Sequence, residues 1–153
     1  MASTGPFETK WPADIPAPAG VKQWIDDFYH LADDQAADAG HRLAELFTPD
    51  ATQFGLAGPL KGREAIAANR PKAWITQKER RHDPLEVYTS KADYSEIVVL
   101  GRIKSWFKNG EVVEADFVAG ITFTGDTSQK PLCSLYRVWG DSAPWVKAMS
   151  KQR

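Results

Sequence analysis

The fold is decided by the segment from Leu100 to Phe123, which reads LGRIKSWFKNGEVVEADFVAGITF. Apolar and polar residues alternate on both sides of Asn109-Gly110, as they do in β-strands that have one buried face. Asn and Gly both tolerate the positive φ that a two-residue type I′ turn requires. The segment therefore predicts two long antiparallel strands joined by a tight hairpin.

The predicted turn also determines which side chains share a face. A two-residue turn at Asn109-Gly110 pairs Lys108 with Glu111, and a shift of one residue, or a β-bulge, would exchange the faces. The apolar face of the second strand must look toward the core, whereas the other face mixes apolar and acidic residues and favours a homodimer surface. The inward face is predicted to hold Arg102, Lys104, Trp106, Val113, Ala115, Phe117, Ala119, Ile121 and Phe123.

Helical patterns precede most of the strands along the chain. Apolar residues recur at helical spacing from Val21, and further helical stretches run from about Asp33 to Phe47 and from Lys61 to about Ile75. A short strand is predicted at 51–56, followed by strands near 85–89, 94–107, 111–124 and 132–139. Short turns leave no room for crossover helices, which favours α+β over a doubly wound α/β fold. We expect a cone-shaped α+β barrel, with three helices packed in the concavity of a curved, mostly antiparallel sheet.

The 153 residues predict one domain with two extensions. Residues 1–20 contain four prolines among small residues and are expected to form an extended arm. The domain is expected to span residues 21–144. Residues 145–153 are expected to be a C-terminal tail.

Composition excludes several classes of partner. The chain has 19 basic and 20 acidic residues, so no overall field attracts nucleic acid or an anionic membrane surface. It shows neither a signal-like start nor the roughly 20 consecutive apolar residues of a membrane span, which predicts a soluble cytoplasmic protein. Cys133 is the only cysteine, and the three histidines lack ligand spacing. We therefore expect no disulfide, no metal site and no cofactor.

Four segments resemble a known superfamily. They are the helix pair that ends in LFTPDA at 46–51, LKGREAI at 60–66, LG at 100–101 with KNG at 108–110, and YRVWGDSAP at 136–144. In these segments, which span about Val21 to Pro144, the chain resembles the nuclear-transport-factor-2-like (NTF2-like) superfamily and, within it, the SnoaL-like group of polyketide cyclases and uncharacterised fungal members. The resemblance implies the cone-shaped fold and a small-molecule ligand or substrate in its interior.

The resemblance does not bring the best-known chemistry of the superfamily with it. Ketosteroid isomerase, a member, uses a carboxylate base and a protonated acid beside a tyrosine. The base matches a position near Gly55 and the acid a position near Ala119, where this sequence has neither group. The tyrosine matches a position near Phe28 or Tyr29.

His82 and Arg102 are the candidate catalytic residues. His82 can exchange a proton near neutral pH, although it can also be a surface histidine beside Arg80 and Arg81. An inward Arg102 can stabilise an enolate-like charge, or else form an ion pair at the cone mouth. Asp116 is expected on the outer face unless a bulge reverses it. The candidate ligand-binding residues are Phe28, Tyr29, Trp74, Lys104, Trp106, Phe117 and Trp139.

Two hypotheses about function follow from these residues. The leading one is a cofactor-independent isomerase, cyclase or dehydratase-type enzyme of secondary metabolism. It would act by proton transfer on a small, apolar, oxygenated molecule of the polyketide or terpenoid type. The alternative is a non-catalytic small-molecule-binding or dimeric interaction domain of the same fold, which the missing acids at Gly55 and Ala119 support.

Overall fold

The first helix forms the centre of the fold. In the computed structural model, which describes residues 5–55 and 58–151, helix α1 runs from Ala19 to Asp33. Its buried residues recur at helical spacing, so one stripe of the helix faces the sheet. The rings of Trp24 and Phe28 stack at 4.8 Å between centroids and contact rings of the sheet, such as Phe123. The buried stripe consists of Gly20, Val21, Trp24, Ile25, Phe28, Tyr29 and Ala32.

Six strands in the described part of the chain form one sheet that curves around α1. They are β1 (Phe47–Gly55), β2 (Gly58–Lys61), β3 (Gln77–Tyr88), β4 (Glu96–Phe107), β5 (Val112–Thr124) and β6 (Leu132–Trp139). Their order is β2-β1-β6-β5-β4-β3. Strands β1 and β6 pair in parallel, and the other neighbours pair antiparallel. The predicted α+β cone with a mostly antiparallel sheet is confirmed.

The remaining helices differ in extent from the prediction. They are α2 (Ala39–Ala44), α3 (Gly62–Asn69), a 3-10 helix (Arg70–Ile75) and α4 (Ala143–Ser150). The predicted third helix changes to 3-10 geometry at Arg70, because Pro71 lacks the N–H that a continuous α-helix needs there. The segment expected to be a C-terminal tail is helical up to Ser150, and Pro144 lies in the first turn of its helix, where proline is favoured.

Strand β3 is longer than the sequence predicts. It begins at Gln77 instead of near Leu85, and His82 therefore lies within a strand and not before one. The pairing with β4 shifts between Pro84 and Glu86, because proline cannot donate to the ladder and is accommodated at a bulge on an edge strand. The first half of this strand was not predicted, because the charged run KERRHD at 78–83 lacks the apolar alternation that indicates a strand.

The central hairpin forms, but its register differs from the prediction by one residue. Gly110 takes a φ of 89° and donates its N–H to the Phe107 carbonyl at 3.0 Å, while Phe107 N–H donates to the Glu111 carbonyl at 2.9 Å. This is a three-residue turn, with only its glycine at positive φ. The Asn109 amide instead donates to the backbone carbonyls of Ala148 and Lys151 at the end of α4.

Because of this shift, the face of β4 that was predicted to point inward points outward, and the opposite face points inward. Arg102 lies opposite Asp116 and Lys104 opposite Glu114, and these four side chains point outward. The predicted inward positions of Arg102, Lys104 and Trp106 are therefore wrong, whereas Asp116 lies on the outer face as expected. The apolar face of β5 points inward as predicted. Burial favours the observed register, because two cations facing this apolar surface would lack partners.

The N-terminal arm covers the edge of the sheet. Lys10 N–H donates to the Leu85 carbonyl at 2.9 Å, and Val87 N–H donates to the Lys10 carbonyl at 3.0 Å. Trp11 and Ile15 pack against the core. The arm thereby shields β3, whose unpaired backbone groups would otherwise be open to association.

A side chain at Gly101 is expected to destabilise the sheet. Gly101 lies opposite Phe117, and a Cβ there would come within 2.3 Å of the Phe117 ring. We expect Gly101→Ala to lower the free energy of unfolding by about 1–3 kcal/mol, because the ring must leave its packed position. Urea denaturation measures the change.

Gly55→Ala is the matched control for this substitution. A Cβ at Gly55, also in a strand, would meet no described atom within 4 Å, so stability should change by less than about 0.5 kcal/mol. If Gly101→Ala were as stable as Gly55→Ala, the packing of Phe117 over Gly101 would not constrain the sheet.

Candidate functional site

A cavity of about 560 Å³ opens within the cone. Its size lies in the range of pockets that hold small organic molecules. Residues of α1, the sheet and α4 provide its apolar wall, namely Phe28, Ala32, Leu60, Ile103, Phe117, Val138, Trp145 and Met149. Its inner polar residues are Gln53, Asn69, Arg70, Gln77, Arg80, His82 and Tyr136.

Two short hydrogen bonds join α1 to β3 at His82, which lines the cavity. Asp33, the last residue of α1, accepts the backbone N–H of His82 and contacts its ring Nδ1, each at 2.6 Å. The side chains of Asp33 and His82 are 8% and 14% exposed. The centroids of the Tyr29 and Phe117 rings lie 5.5 and 5.6 Å from that of the His82 ring. The imidazole is therefore held in place while it borders the cavity.

The pKa values of both groups are lowered. Burial alone would raise the pKa of Asp33, but His82 and Arg80 together outweigh it. Burial lowers the pKa of His82, although Asp33 opposes the shift. At neutral pH the carboxylate is therefore charged and the imidazole neutral. Because an ionised carboxylate only accepts hydrogen bonds, the imidazole proton lies on Nδ1 and Nε2 holds a lone pair.

Arg80 secures the end of α1 and its carboxylate. Its Nε donates to Asp33 Oδ1 at 3.4 Å, and its Nη2 donates to the Ala32 carbonyl. The guanidinium carbon lies 5.1 Å from the centroid of the Trp74 ring, within the range of a cation–π contact. These contacts engage Arg80 with the protein itself, so we regard it as a residue that positions Asp33.

A pair of tyrosines lies beside the Asp33–His82 pair. The hydroxyl oxygens of Tyr29 and Tyr136 are 3.2 Å apart; Tyr29 is fully buried and Tyr136 lines the cavity. If Tyr29 donates to Tyr136, both protons can be satisfied, because Tyr136 keeps its own for a ligand. The reverse arrangement would leave the Tyr29 proton without a partner in the described chain. Burial raises the pKa of Tyr136 to about 12, so its hydroxyl remains a donor at neutral pH.

Three polar residues of the cavity wall carry atoms without a hydrogen-bond partner. Gln53 Oε1 on β1, Arg70 Nε in the 3-10 helix and Gln77 Oε1 on β3 are buried and unpartnered within residues 5–55 and 58–151. We call these three residues the polar corner. Leaving a buried polar atom unpaired costs about 1–3 kcal/mol. Atoms of this kind that border a cavity are available to a ligand.

The structure brings three of the predicted site residues to the cavity, namely Phe28, His82 and Phe117. Tyr29 does not line the cavity itself, but its ring and hydroxyl contact residues that do, such as His82 and Tyr136. The sequence-based roles of these residues stay predictions, because position alone does not test them.

The other predicted site residues lie away from the cavity. Arg102 is 48% exposed on the outer face, and Lys104 Nζ lies 5.1 Å from the centroid of the Trp106 ring on the same face. Trp139 is 51% exposed, because the neighbouring positions of β6 point inward. Trp74 borders a separate, smaller pocket beside α2. The one-residue shift of the hairpin register accounts for the positions of Arg102, Lys104 and Trp106.

Asp33 is the main site residue that sequence reasoning missed. We expected it to begin the second helix, whereas it ends α1. It follows Tyr29 by four residues and so lies on the same face of α1. A carboxylate that continues an apolar helix face is a signal of a buried, paired group. No comparable local signal marks Gln53, Arg70 or Tyr136.

Of Asp33 and His82, only His82 lines the first cavity, whereas both line a second cavity, of about 600 Å³, beside the N-terminal arm. Phe7 and His30, which stack at 4.2 Å between ring centroids, line it together with Trp106. The pair therefore lies between two cavities.

Other reactive arrangements were sought in the described ranges, 5–55 and 58–151. They contain no cluster of three or more His, Cys, Asp or Glu side chains suited to a metal ion. No helix within them is long and apolar enough to cross a membrane. Burial raises the pKa of the Cys133 thiol, which keeps it protonated and unreactive.

Comparison with solved structures identifies the fold. An NTF2-like protein of unknown function from Burkholderia pseudomallei matches with a TM-score of 0.69 and 18% identity, over 87% of this chain and 99% of that chain. The chain has the NTF2-like fold. Two further solved structures match with a TM-score of 0.69 and 15% identity. One, named as a SnoaL-like polyketide cyclase from a Jannaschia species, covers 90% of this chain and 96% of its own.

The other of these two structures is TerC, which was co-crystallised with polyporic acid; the match covers 87% of this chain and 100% of that chain. No family model and no curated protein matches the sequence. These structural matches establish the NTF2-like fold, but at identities below 20% they assign no activity to this chain.

The titration of His82 is expected to report its contact with Asp33. We expect the pKa of His82 to lie below the ordinary value of about 6.5, and to fall further in Asp33→Asn. That substitution removes the charge that opposes the effect of burial. The ¹⁵N NMR signals of the imidazole nitrogens measure the pKa and show whether Nδ1 carries the proton.

Asp34→Asn is the matched control, since Asp34 is the next residue and pairs with Arg42 instead of His82. It should leave the pKa of His82 unchanged. A rise in the His82 pKa in Asp33→Asn would contradict the assigned geometry.

Proposed function

We propose that the protein is a cofactor-independent isomerase, cyclase or dehydratase-type enzyme that acts by proton transfer on a small, apolar, oxygenated molecule in the cone cavity. The observation that supports this most directly is the Asp33–His82 pair, whose imidazole lines the cavity and whose two residues make two contacts of 2.6 Å. A neutral imidazole oriented by a buried carboxylate is an effective general base near neutral pH.

In the proposed reaction, His82 Nε2 removes a proton from a carbon next to a substrate carbonyl. The C–H electron pair moves toward the carbonyl oxygen, which gives an enolate and an imidazolium that Asp33 stabilises. Return of the proton to another carbon completes an isomerisation. If the proton instead goes to a departing hydroxyl, water leaves and the reaction is a dehydration. If the enolate carbon attacks a second carbonyl, the imidazolium protonates the new alkoxide and a ring is closed.

Tyr136 is proposed to stabilise the developing negative charge on the carbonyl oxygen. Tyr136 lines the cavity, and its proton is available when Tyr29 is the donor in the hydrogen bond between the two hydroxyls. A donor aimed at an oxygen that becomes negative lowers the barrier more than it stabilises the neutral substrate. The sequence assigned this role to Arg102, but Arg102 points outward and is not proposed for it.

The apolar wall supports a substrate with a largely hydrocarbon body. Phe28, Phe117, Ile103 and Val138 face the space next to His82 and Tyr136, which suits a polyketide- or terpenoid-like skeleton that bears oxygen at one end. The presence of a polyketide cyclase-like protein and of a complex with polyporic acid among the matches supports a small organic ligand.

The free Cys133 suits a reducing compartment, and we propose the cytoplasm as the location of the protein.

A proton-exchange assay tests the proposal without the natural substrate. The protein is incubated in D₂O with a panel of bicyclic aryl ketones such as 1-tetralone, and loss of the α-proton NMR signal is followed. We expect the rate to rise with pH through the lowered pKa of His82 and to level off near neutrality. His82→Gln should lower it about 10²–10⁴-fold, and Tyr136→Phe about 10²–10³-fold.

Arg102→Gln is the control for this assay, because it removes an exposed cation outside the cavity and should leave the rate unchanged. Exchange that persists in His82→Gln would refute the proposal. Binding of several ketones without exchange of any would favour the alternative, a non-catalytic ligand-binding domain.

We further propose a homodimer formed through the outer face of the sheet. Val98, Val112 and Trp139 are 41%, 51% and 51% exposed on this face, and apolar groups collected on one surface favour association. Sedimentation equilibrium should give twice the chain mass, and Val98→Lys combined with Trp139→Gln should give a monomer. Val146→Lys, which changes an exposed valine on α4, should leave the dimer intact. A monomeric wild type would refute the proposal.

A further inference from the structure

The polar corner, formed by Gln53, Arg70 and Gln77, has no part in the proton transfer proposed for His82. Gln53 and Gln77 line the cavity and are 7% and 9% exposed, and the side-chain oxygen of each is buried without a hydrogen-bond partner among the described residues. Buried polar groups in folded proteins are nearly always satisfied. Three unsatisfied groups among the residues that line one cavity indicate that a ligand completes their hydrogen bonding.

Arg70 is the distinctive member of the polar corner. It takes part in none of the ion pairs of the described residues, whereas Arg80 is paired with Asp33. Its backbone is fixed where α3 ends and the 3-10 helix begins, directly before Pro71. Burial, and then the like charge of Arg80, lower the pKa of Arg70 to about 10, so the guanidinium is still charged at neutral pH.

The inner wall of the cavity therefore carries an excess positive charge. Arg70 and Arg80 contribute two positive charges, Asp33 contributes one negative charge, and His82 is neutral. A buried cation without a counter-charge is unfavourable, and an anion that enters the cavity relieves this. The other charged residues at the cavity are at its mouth, where water screens them: Lys72, Asp116 and Asp141.

We propose that Arg70 binds a carboxylate group of the ligand, which makes the natural ligand an organic acid. A guanidinium donates two parallel hydrogen bonds to a carboxylate, a geometry that a neutral ester or amide does not reproduce. The Oε1 atoms of Gln53 and Gln77 accept hydrogen bonds, so hydroxyl groups elsewhere on the ligand satisfy them. The carboxylate subsite identifies the substrate class of the proposed enzyme, and in that respect it rests on the proposed function. Binding of a carboxylate to Arg70 does not itself depend on proton transfer by His82.

Matched probes test the subsite by isothermal titration calorimetry at pH 7. The probes are 2-naphthoate and 2-naphthamide, which share a ring system and differ in charge. We expect 2-naphthoate to bind at least about tenfold more tightly, which corresponds to about 1.4 kcal/mol. Arg70→Gln should remove most of this preference by weakening the acid, while the affinity for the amide stays the same.

Lys72→Gln is the control, because it removes an exposed cation two residues away at the mouth of the same cavity. It should preserve the preference for the acid. If Arg70→Gln does not fold, the wild-type protein still decides the matter, since the Nε–H NMR signal of Arg70 should shift with 2-naphthoate and not with 2-naphthamide. Equal affinities for acid and amide, or a preference that survives in Arg70→Gln, would overturn the proposal.

His82→Gln separates this inference from the proposed function. The variant should bind 2-naphthoate as tightly as the wild type while losing proton exchange with ketones. Acid binding in the wild type without any ketone exchange would refute the enzyme and keep the subsite. Ketone exchange without a preference for 2-naphthoate would refute the carboxylate subsite and keep the enzyme.

Discussion

One buried carboxylate both attaches the central helix to the sheet and sets the chemistry of the cavity. Asp33 ends α1, and the groups that donate to it, on Arg80 and His82, belong to β3. These hydrogen bonds hold the end of the helix and also fix the tautomer and orientation of the imidazole. A buried charge is tolerated only when its partners are all in place. The helix–sheet junction and the proposed base therefore form or fail together.

The cavity has two chemically different regions, built from different parts of the chain. His82 and Tyr136, on β3 and β6, offer a base and a neutral donor, whereas the polar corner around Arg70 offers a charged donor and two acceptors. The first region suits a reacting group and the second a group that only anchors. The NTF2-like fold supplies the wall in both cases, so function must be sought in such side chains and not in the fold.

The features that were predicted correctly depend on local periodicity. The apolar stripe of α1 and the inward face of β5 repeat over several turns or residue pairs, so they survive errors at the ends of the elements. The turn sequence alone does not predict the faces of β4, because Asn109-Gly110 suits a two-residue and a three-residue turn. The two are distinguished by the burial of one face of β4 and by the contact of Asn109 with α4. His82 stood out by its residue type. Arg70 matters through the space around it, which no local pattern encodes.

The ambiguity of this turn also affects the order of folding. A hairpin closes within about 1–10 μs, and the segment from Leu100 to Phe123 on its own has no core against which to choose a face. The choice depends on α1 and on the hydrogen bond from Asn109 to Ala148, which spans 39 residues. The hairpin therefore forms quickly, but its register is selected only when α1 and α4 pack against it. Chains that close the two-residue turn first must reopen it before the cone assembles around α1.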